Sequence, residues 1–425
     1  GTPADGRDHI QRVMTSIQST YTGAITSVRY TFGAQTDQTP RLGTMAIQDT
    51  TLPSTTGILA LEAFQPAGES NSMLQAFGQN CLTCHLNAAP HEGAQYRRFA
   101  GCAACHSLEP GVVVIGPSLA GIGDRAGLAT ALHNTQAGYL QTMYSRSLPE
   151  NHAALGEAFN NHCATCHTSC GECHISQPNN VGGGLLEGHM VVKTPPMTRT
   201  CTACHGSRVG AEYLGKHEEI PGDVHFRQGR MNCVSCHSGS SLHTNDEVSA
   251  NHRYDGPESP ACTSCHTTYA SLQDTVPQHV IHEDKISCQV CHSVQYTSCD
   301  SCHVSISETS GNPIYKTAGD YFTFYIGKNV LMSEDRPYEY VVVRHVPVDS
   351  ENYAFYGDNL LPHFDLLPTW AYATPHNIQR STPQNQTCNS CHGNAELFLT
   401  ADKVKPEELE ANQAVIVDEI PAVMP

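Results

Sequence analysis

Residues 163–174 read Cys163-Ala-Thr-Cys166-His167-Thr-Ser-Cys170-Gly-Glu-Cys173-His174, two copies of Cys-x-x-Cys-His with only two residues between them. The spacing carries the chemistry. Two thiols three positions apart add across the two vinyl groups of one haem, and the His after the second Cys is placed to ligate its iron from the proximal side. The same motif recurs upstream at Cys81/Cys84/His85 and Cys102/Cys105/His106, and downstream at Cys201/Cys204/His205, Cys233/Cys236/His237, Cys262/Cys265/His266, Cys288/Cys291/His292, Cys299/Cys302/His303 and Cys388/Cys391/His392. Ten motifs use all 20 cysteines, so none is left for a disulfide. A lone Cys-x-x-Cys equally marks a zinc knuckle or a redox dithiol, but neither needs a His at the next position. Here every pair has one, although only 25 of 425 residues are His. Ten covalently bound c-type haems are therefore expected.

Seven of the ten motifs fall between Cys163 and His303, and the rest of the chain reads as cover or extension. Ten macrocycles would do much of the burying that aliphatic side chains do elsewhere. The composition agrees: 39% hydrophobic and 15% charged residues, with 34 Gly and 25 Pro. The expected fold is mostly irregular and haem-packed, with short α-helices, a few β-strands and a core formed by a row of ten haems. Along the chain this gives a haem-free N-terminal arm (1–80), a two-haem region (81–160), a seven-haem core (161–303), a haem-free β-rich cover segment (304–387), and the last haem with a C-terminal tail (388–425).

The formal charge is −18, and haem propionates would make the assembled particle more acidic, which argues against nucleic acid as a partner. No apolar run approaches the roughly 18 residues of a membrane helix, so no transmembrane segment is expected. The chain starts at Gly1, and haem attachment to this motif is completed outside the cytoplasm. We read it as a mature, exported form, periplasmic or extracellular, with its signal peptide removed.

Within the arm, Ile10, Val13, Met14 and Ile17 fall at i, i+3, i+4 and i+7, one apolar helical face. Residues 24–32 and 56–64 have strand-like or mixed patterns, and the bland alternative is a loose surface arm. In the cover segment, Tyr321–Ile326 and Tyr338–Val343 are aromatic and β-branched runs that predict a small sheet over the haems. The tail predicts a helical acidic run, Glu407 to Asn412, then an edge strand at Val415–Val417.

Around the second motif, Gly116-Pro-Ser-Leu-Ala-Gly121 and Tyr139-Leu140 partly resemble the single-haem class I cytochrome c pattern. That family often takes a Met as sixth ligand, which puts Met143 beside His152 as an alternative; His152 is preferred because the Met spacing is short. From about 160 to 395 the chain resembles the multihaem cytochromes of respiratory and extracellular electron-transfer chains. That resemblance implies closely packed haems. The two-residue link from His167 to Cys170 and the six-residue link from His292 to Cys299 predict touching macrocycles in each pair.

Fifteen histidines remain after the ten proximal ones. From Cys163 onward, eight motifs are matched by His162, His189, His225, His243, His279, His282, His345 and His376 as distal iron ligands. His279 and His282 would share one face of a helix and serve two different irons. For the first two haems the choice is His133 and His152, with His91 in reserve. Ample imidazole favours six-coordinate iron and hence an electron carrier, not an enzyme, acting with redox partner proteins or extracellular acceptors. The alternative is a multihaem reductase or oxidase of small nitrogen or sulfur compounds with one open iron, or a monomeric periplasmic shuttle. The apolar face at Ile10–Ile17 and the strand at Val415–Val417 further predict head-to-tail self-association into a conducting filament.

Overall fold

The computed structural model describes residues 13, 15–48, 57–78, 82, 96–98, 112–114, 201–217, 219–238, 260–269, 271, 275–306, 309, 313–334, 336–346 and 358–425. Four of the ten expected haem motifs lie outside the described residues, apart from Leu82 within the first. These are Cys81, Cys84 and His85; Cys102, Cys105 and His106; Cys163, Cys166 and His167; and Cys170, Cys173 and His174. The expected ligands His91, His133, Met143, His152, His162, His189 and His243 also lie outside, as do Ile10 and Met14 of the predicted apolar face.

The N-terminal stretch packs. Ser16 caps α1 (Ile17–Thr20), its side chain accepting from the Ser19 N–H. Tyr21, at φ 52°, makes the break to α2 (Thr22–Thr31). The strand-like reading of residues 24–32 is thus corrected to helix. Ile25, Val28 and Phe32 are spaced i, i+3, i+7, and burying that stripe outweighs the β-branched content. Ile25 is fully buried with Phe64 and Leu82, while Phe32 joins Met73, Leu74 and Leu361. A three-stranded sheet follows, β1 (Leu42–Gly43) and β2 (Ile47–Gln48) flanking β3 (Ala60–Ala63), the first parallel to β3 and the second antiparallel. Next comes α3 (Ser72–Ala76), capped by Asn71. Arg29 pairs with Glu69, and the His363 N–H donates to Thr31 O, so residues 360–364 close over this unit. The arm is not loose over these residues.

Two short strands, β4 (Tyr96–Arg98) and β5 (Val112–Val114), pair antiparallel. The C-terminal half then runs through α4 (Cys201–Cys204), α5 (Ala211–Leu214), α6 (Val224–Arg227), α7 (Cys233–Cys236), α8 (Pro277–His282) and α9 (Cys288–His292). After these come the hairpin β6 (Thr297–Ile306) and β7 (Pro313–Thr323), then β8 (Tyr325–Lys328), β9 (Tyr340–His345), β10 (Trp370–Tyr372) and α10 (Leu409–Asn412). The strands and short helical turns agree with the expected irregular α/β mixture, and among the described residues no helix is long and apolar enough to cross a membrane.

The sheet β10-β9-β8 is antiparallel, with β9 central. Because successive strand residues face opposite sides, an unbroken apolar run marks a strand buried on both. Val341 and Val343 pack with Trp370, Tyr372, Leu399 and Val415, while Val342 packs with Val290, Phe324, Ile326, Phe398 and Val417 on the other face. Gly327 in β8 is required: a Cβ there would come within 2.8 Å of Val343 and 3.1 Å of Val415.

The tail corrects a second expectation. Val415, Ile416 and Val417 are at most 2% exposed, the Lys328 N–H donates to Val415 O, and the Val417 N–H donates to Leu399 O. The segment completes its own subunit's core and offers no free apolar edge to another copy.

Candidate haem-binding sites

Most of the described motifs are single helical turns. Three are α-helical, in α4, α7 and α9, and two are 3-10 turns, Cys262–Ser264 and Cys388–Ser390. A helical turn brings residues i and i+3 to one side, as two thiols bridging one macrocycle require. Local sequence sets the turn. Asn232 accepts from the Ser235 N–H, and Ser235 Oγ accepts from the Asn232 N–H in return, a capping box spanning Cys233-Val-Ser-Cys236. Thr387 and Ser390 repeat the arrangement around Cys388. Such a cap contributes about 1 kcal/mol. The ninth motif differs: it lies in β6, and the ladder to β7 shifts register between Asp300 and Cys302.

Four motif histidines each face a histidine from elsewhere. Ring centroids are 6.0 Å apart for His266 and His225, 6.4 Å for His237 and His376, 6.2 Å for His292 and His279, and 6.3 Å for His392 and His282. The spacing has a physical meaning. Two in-line metal–imidazole bonds of about 2.0 Å, with each centroid roughly 1.1 Å behind its nitrogen, put the centroids of two ligands of one metal about 6.2 Å apart. Each pair offers the donors and the room of a two-imidazole iron site. The spare nitrogens agree. Nδ1 of His292 bonds Gln379 O (3.0 Å), that of His392 bonds Ala422 O (3.0 Å), that of His282 bonds Gln278 O (2.9 Å) and that of His225 bonds Asp223 Oδ1 (2.8 Å). Such bonds turn Nε2 outward and fix the ring that must hold a metal.

Burial, then the charges of His376 and His205, lowers the His237 pKa; burial is also the main cause for His292, with His279 and His266 adding to it. Both changes favour the neutral imidazole, the ligating form. The thiols show which motifs are neighbours. Cys201 and Cys233 are hydrogen-bonded, a contact that holds the Cys201 thiol at about 7 and raises that of Cys233. Cys236 feels the charge of Cys265, and Cys291, pushed up to about 12 mainly by burial, feels that of Cys391.

Beside His376 lies a buried polar knot. Glu212, 1% exposed, accepts from Tyr296 Oη (2.5 Å) and from the His376 backbone N–H (2.6 Å), and it pairs with Arg344 (2.5 Å). The Arg344 guanidinium sits over the rings of Tyr296 and Phe324.

His345, expected as a distal ligand, is placed otherwise. It is 2% exposed, its Nε2 is 3.0 Å from both Glu408 oxygens, and its ring meets Trp370 edge-on at 5.4 Å. Its Nε2 is thus held by a carboxylate beside an apolar cluster and is not turned to a haem face. Two histidines outside the expected set have the opposite character. His217 stacks on Tyr296 at 4.3 Å, and its Nε2 is buried without a hydrogen-bond partner. His363 lies against Tyr30, with Nδ1 on Tyr30 O at 2.9 Å, the same carbonyl anchoring as His292 and His392.

Donor chemistry and motif spacing define a multihaem c-type cytochrome. Residues 77–248 match the model of the outer membrane cytochrome MtrC/MtrF-like family, domains II/IV. That stretch holds the first six motifs, from Cys81, Cys84 and His85 and Cys102, Cys105 and His106 through to His237, and includes the segment whose Gly116–Leu140 pattern resembles a single-haem cytochrome. No curated protein and no solved structure matches the chain.

Proposed function

We propose that this chain is a decahaem electron carrier that works outside the cytoplasm, passing electrons along a row of haems whose irons are each held by two histidines. The observation that carries the reading is the set of four imidazole pairs at the spacing of one iron. On this reading the haem of Cys233/Cys236 is held by His237 and His376, that of Cys262/Cys265 by His266 and His225, that of Cys288/Cys291 by His292 and His279, and that of Cys388/Cys391 by His392 and His282. For the haems of Cys81/Cys84 with His85 and of Cys102/Cys105 with His106, the support is the motif and the family likeness that spans both. Bound haem supplies a one-electron couple at each site. The chain's part is to hold the iron between two neutral rings so that little rearranges as the electron arrives and leaves. Likeness to outer membrane cytochromes supports the extracytoplasmic setting and a role between redox partners.

Thiol and imidazole contacts support the order of the row. The Cys201 motif neighbours the Cys233 motif, which neighbours the Cys262 motif; His266 is near His292, and Cys291 is near Cys391. These contacts support a row that follows chain order from the Cys201 motif through the Cys288 motif and then continues to the Cys388 motif. Among the distal ligands, His217 takes the place of His345, so eight candidates still serve the eight motifs from Cys163 onward. Two imidazoles at each described pair favour the carrier over a reductase with an open iron. Filament growth through Val415–Val417 is not part of this reading, because that segment is built into its own core.

Intact mass and spectroscopy test the reading together. Ten haem equivalents, no thiol available to alkylation in denaturant, and a wholly low-spin spectrum insensitive to carbon monoxide are expected. Fewer equivalents would mean that a motif is idle, and a carbon monoxide shift would point to an open iron and the enzyme.

A further inference from the structure

Three ring nitrogens in two of the imidazole pairs, those of His292, His392 and His282, are held by neutral carbonyls, and one in a third pair is not. The Nδ1 of His225 meets a carboxylate, Asp223 Oδ1, at 2.8 Å. Asp223 is 2% exposed, and the same oxygen accepts from the His225 backbone N–H at 2.8 Å, which caps α6. Its other oxygen accepts from the Ile378 N–H at 2.9 Å. Arg227, in the same helix, spends its guanidinium on Gly222 O (2.7 Å) and Gln379 Oε1 (2.7 Å). The carboxylate is therefore fixed by three N–H donors, the ring's own among them, and is itself shielded from water, while the His225 side chain is 35% exposed.

We propose that Asp223 is a positioning residue that lowers the potential of the haem of Cys262/Cys265. The proposal rests on the reading that His225 and His266 hold that haem. A carboxylate accepting from Nδ1–H draws the proton toward itself and makes the opposite nitrogen a stronger donor. It also puts a negative charge one ring away from the iron. Both act in one direction: they stabilise the oxidised iron more than the reduced one. The carbonyls of Gln379, Ala422 and Gln278, bonded to His292, His392 and His282, orient their rings without a charge. Potential is thus tuned by the partner of a ligand ring while the iron ligands stay the same.

Asp223 also reaches the next site. Ile378 follows His376 by two residues, and Gln379 O is the anchor of His292. Segment 376–379 touches three sites, and the Asp223–Ile378 bond fastens it beside the Cys262/Cys265 site.

The test is a spectroscopically monitored redox titration of the intact holoprotein. Asp223→Asn keeps the shape and removes the charge. One haem of the ten is expected to move to higher potential by at least a tenfold change in its oxidised-to-reduced ratio, which is about 59 mV for one electron. Asp223→Glu, which restores the carboxylate, should bring it back toward the original value. An unmoved titration with the spectrum still low-spin overturns the proposal, as does a high-spin iron in Asp223→Asn that Asp223→Glu fails to reverse, since Asp223 would then be only a helix cap. His225→Ala separates the two levels. One high-spin haem in that variant upholds the ligand assignment whatever Asp223→Asn does; a fully low-spin spectrum removes the assignment and the proposal with it.

Discussion

Replacing His279 and His282 together by alanine is expected to turn two of the ten haems high-spin at once, and each single change to turn one. The two residues lie in the last turn of α8, which starts at Pro277 with the fixed φ suited to a first helical position. Three residues apart, they share a helix side, yet they face His292 and His392, the proximal histidines of different motifs. On the proposed assignment, one turn of helix serves two irons. Losing both rings would open two neighbouring positions in the row, so electron flow from the Cys262 haem to the Cys388 haem should fall by more than an order of magnitude. Carbon monoxide binding counts the opened irons, and flash reduction reads the flow. Two equivalents of carbon monoxide are expected in the double variant and one in each single. If the double variant binds one or none, a single iron or no iron depends on α8, and the assignment of both sites fails.

The motifs, and the number of haems they imply, are legible in the sequence because covalent attachment depends on contiguous residues. Ligand partners are not, because they are set by tertiary structure. His237 and His376 are 139 positions apart and His282 and His392 are 110 apart, so no local pattern joins them. The exception is His279 with His282, whose helical spacing alone points to two irons. The strands were also readable, since Tyr321–Ile326 and Tyr338–Val343 fall on β7, β8 and β9, but not their pairing: β7 joins β6 in a hairpin, and only β8 and β9 share a sheet. Residues 24–32 misled because Thr, Ile and Val suggest a strand, whereas their apolar positions repeat at 3.6. The tail at Val415–Val417 reads the same whether it is an edge or an interior segment, and only its contacts with Leu399 and Lys328 distinguish the two.

His345 carried a signal that a ligand count passes over. In β9 it follows Val341 and Val343 at the period of two, so the strand turns it into the apolar cluster they share with Trp370. Once there it needs a partner, and Glu408 supplies one. Thr369 Oγ1 donates to Glu408 Oε2 at 2.6 Å, Asn412 Nδ2 donates to Glu408 O at 2.8 Å, and Asn412 Oδ1 accepts from the Trp370 N–H at 3.0 Å. The network pins α10 to β10 through side chains that water does not reach.

His345→Ala is therefore expected to destabilise the protein by about 3–5 kcal/mol, the cost of leaving a buried carboxylate without its partner, while all ten haems stay low-spin. Unfolding in guanidinium measures this directly, because Trp370 is the only tryptophan and sits in the affected cluster. Replacing Glu408 and His345 together by leucines should recover much of the loss, since no charge is then stranded. His217→Ala should behave in the opposite way. Its ring lies against Tyr296 with a buried and unpaired Nε2, so one haem should become high-spin. A high-spin haem in His345→Ala, with none in His217→Ala, would put His345 back on an iron and return His217 to the packing around Tyr296.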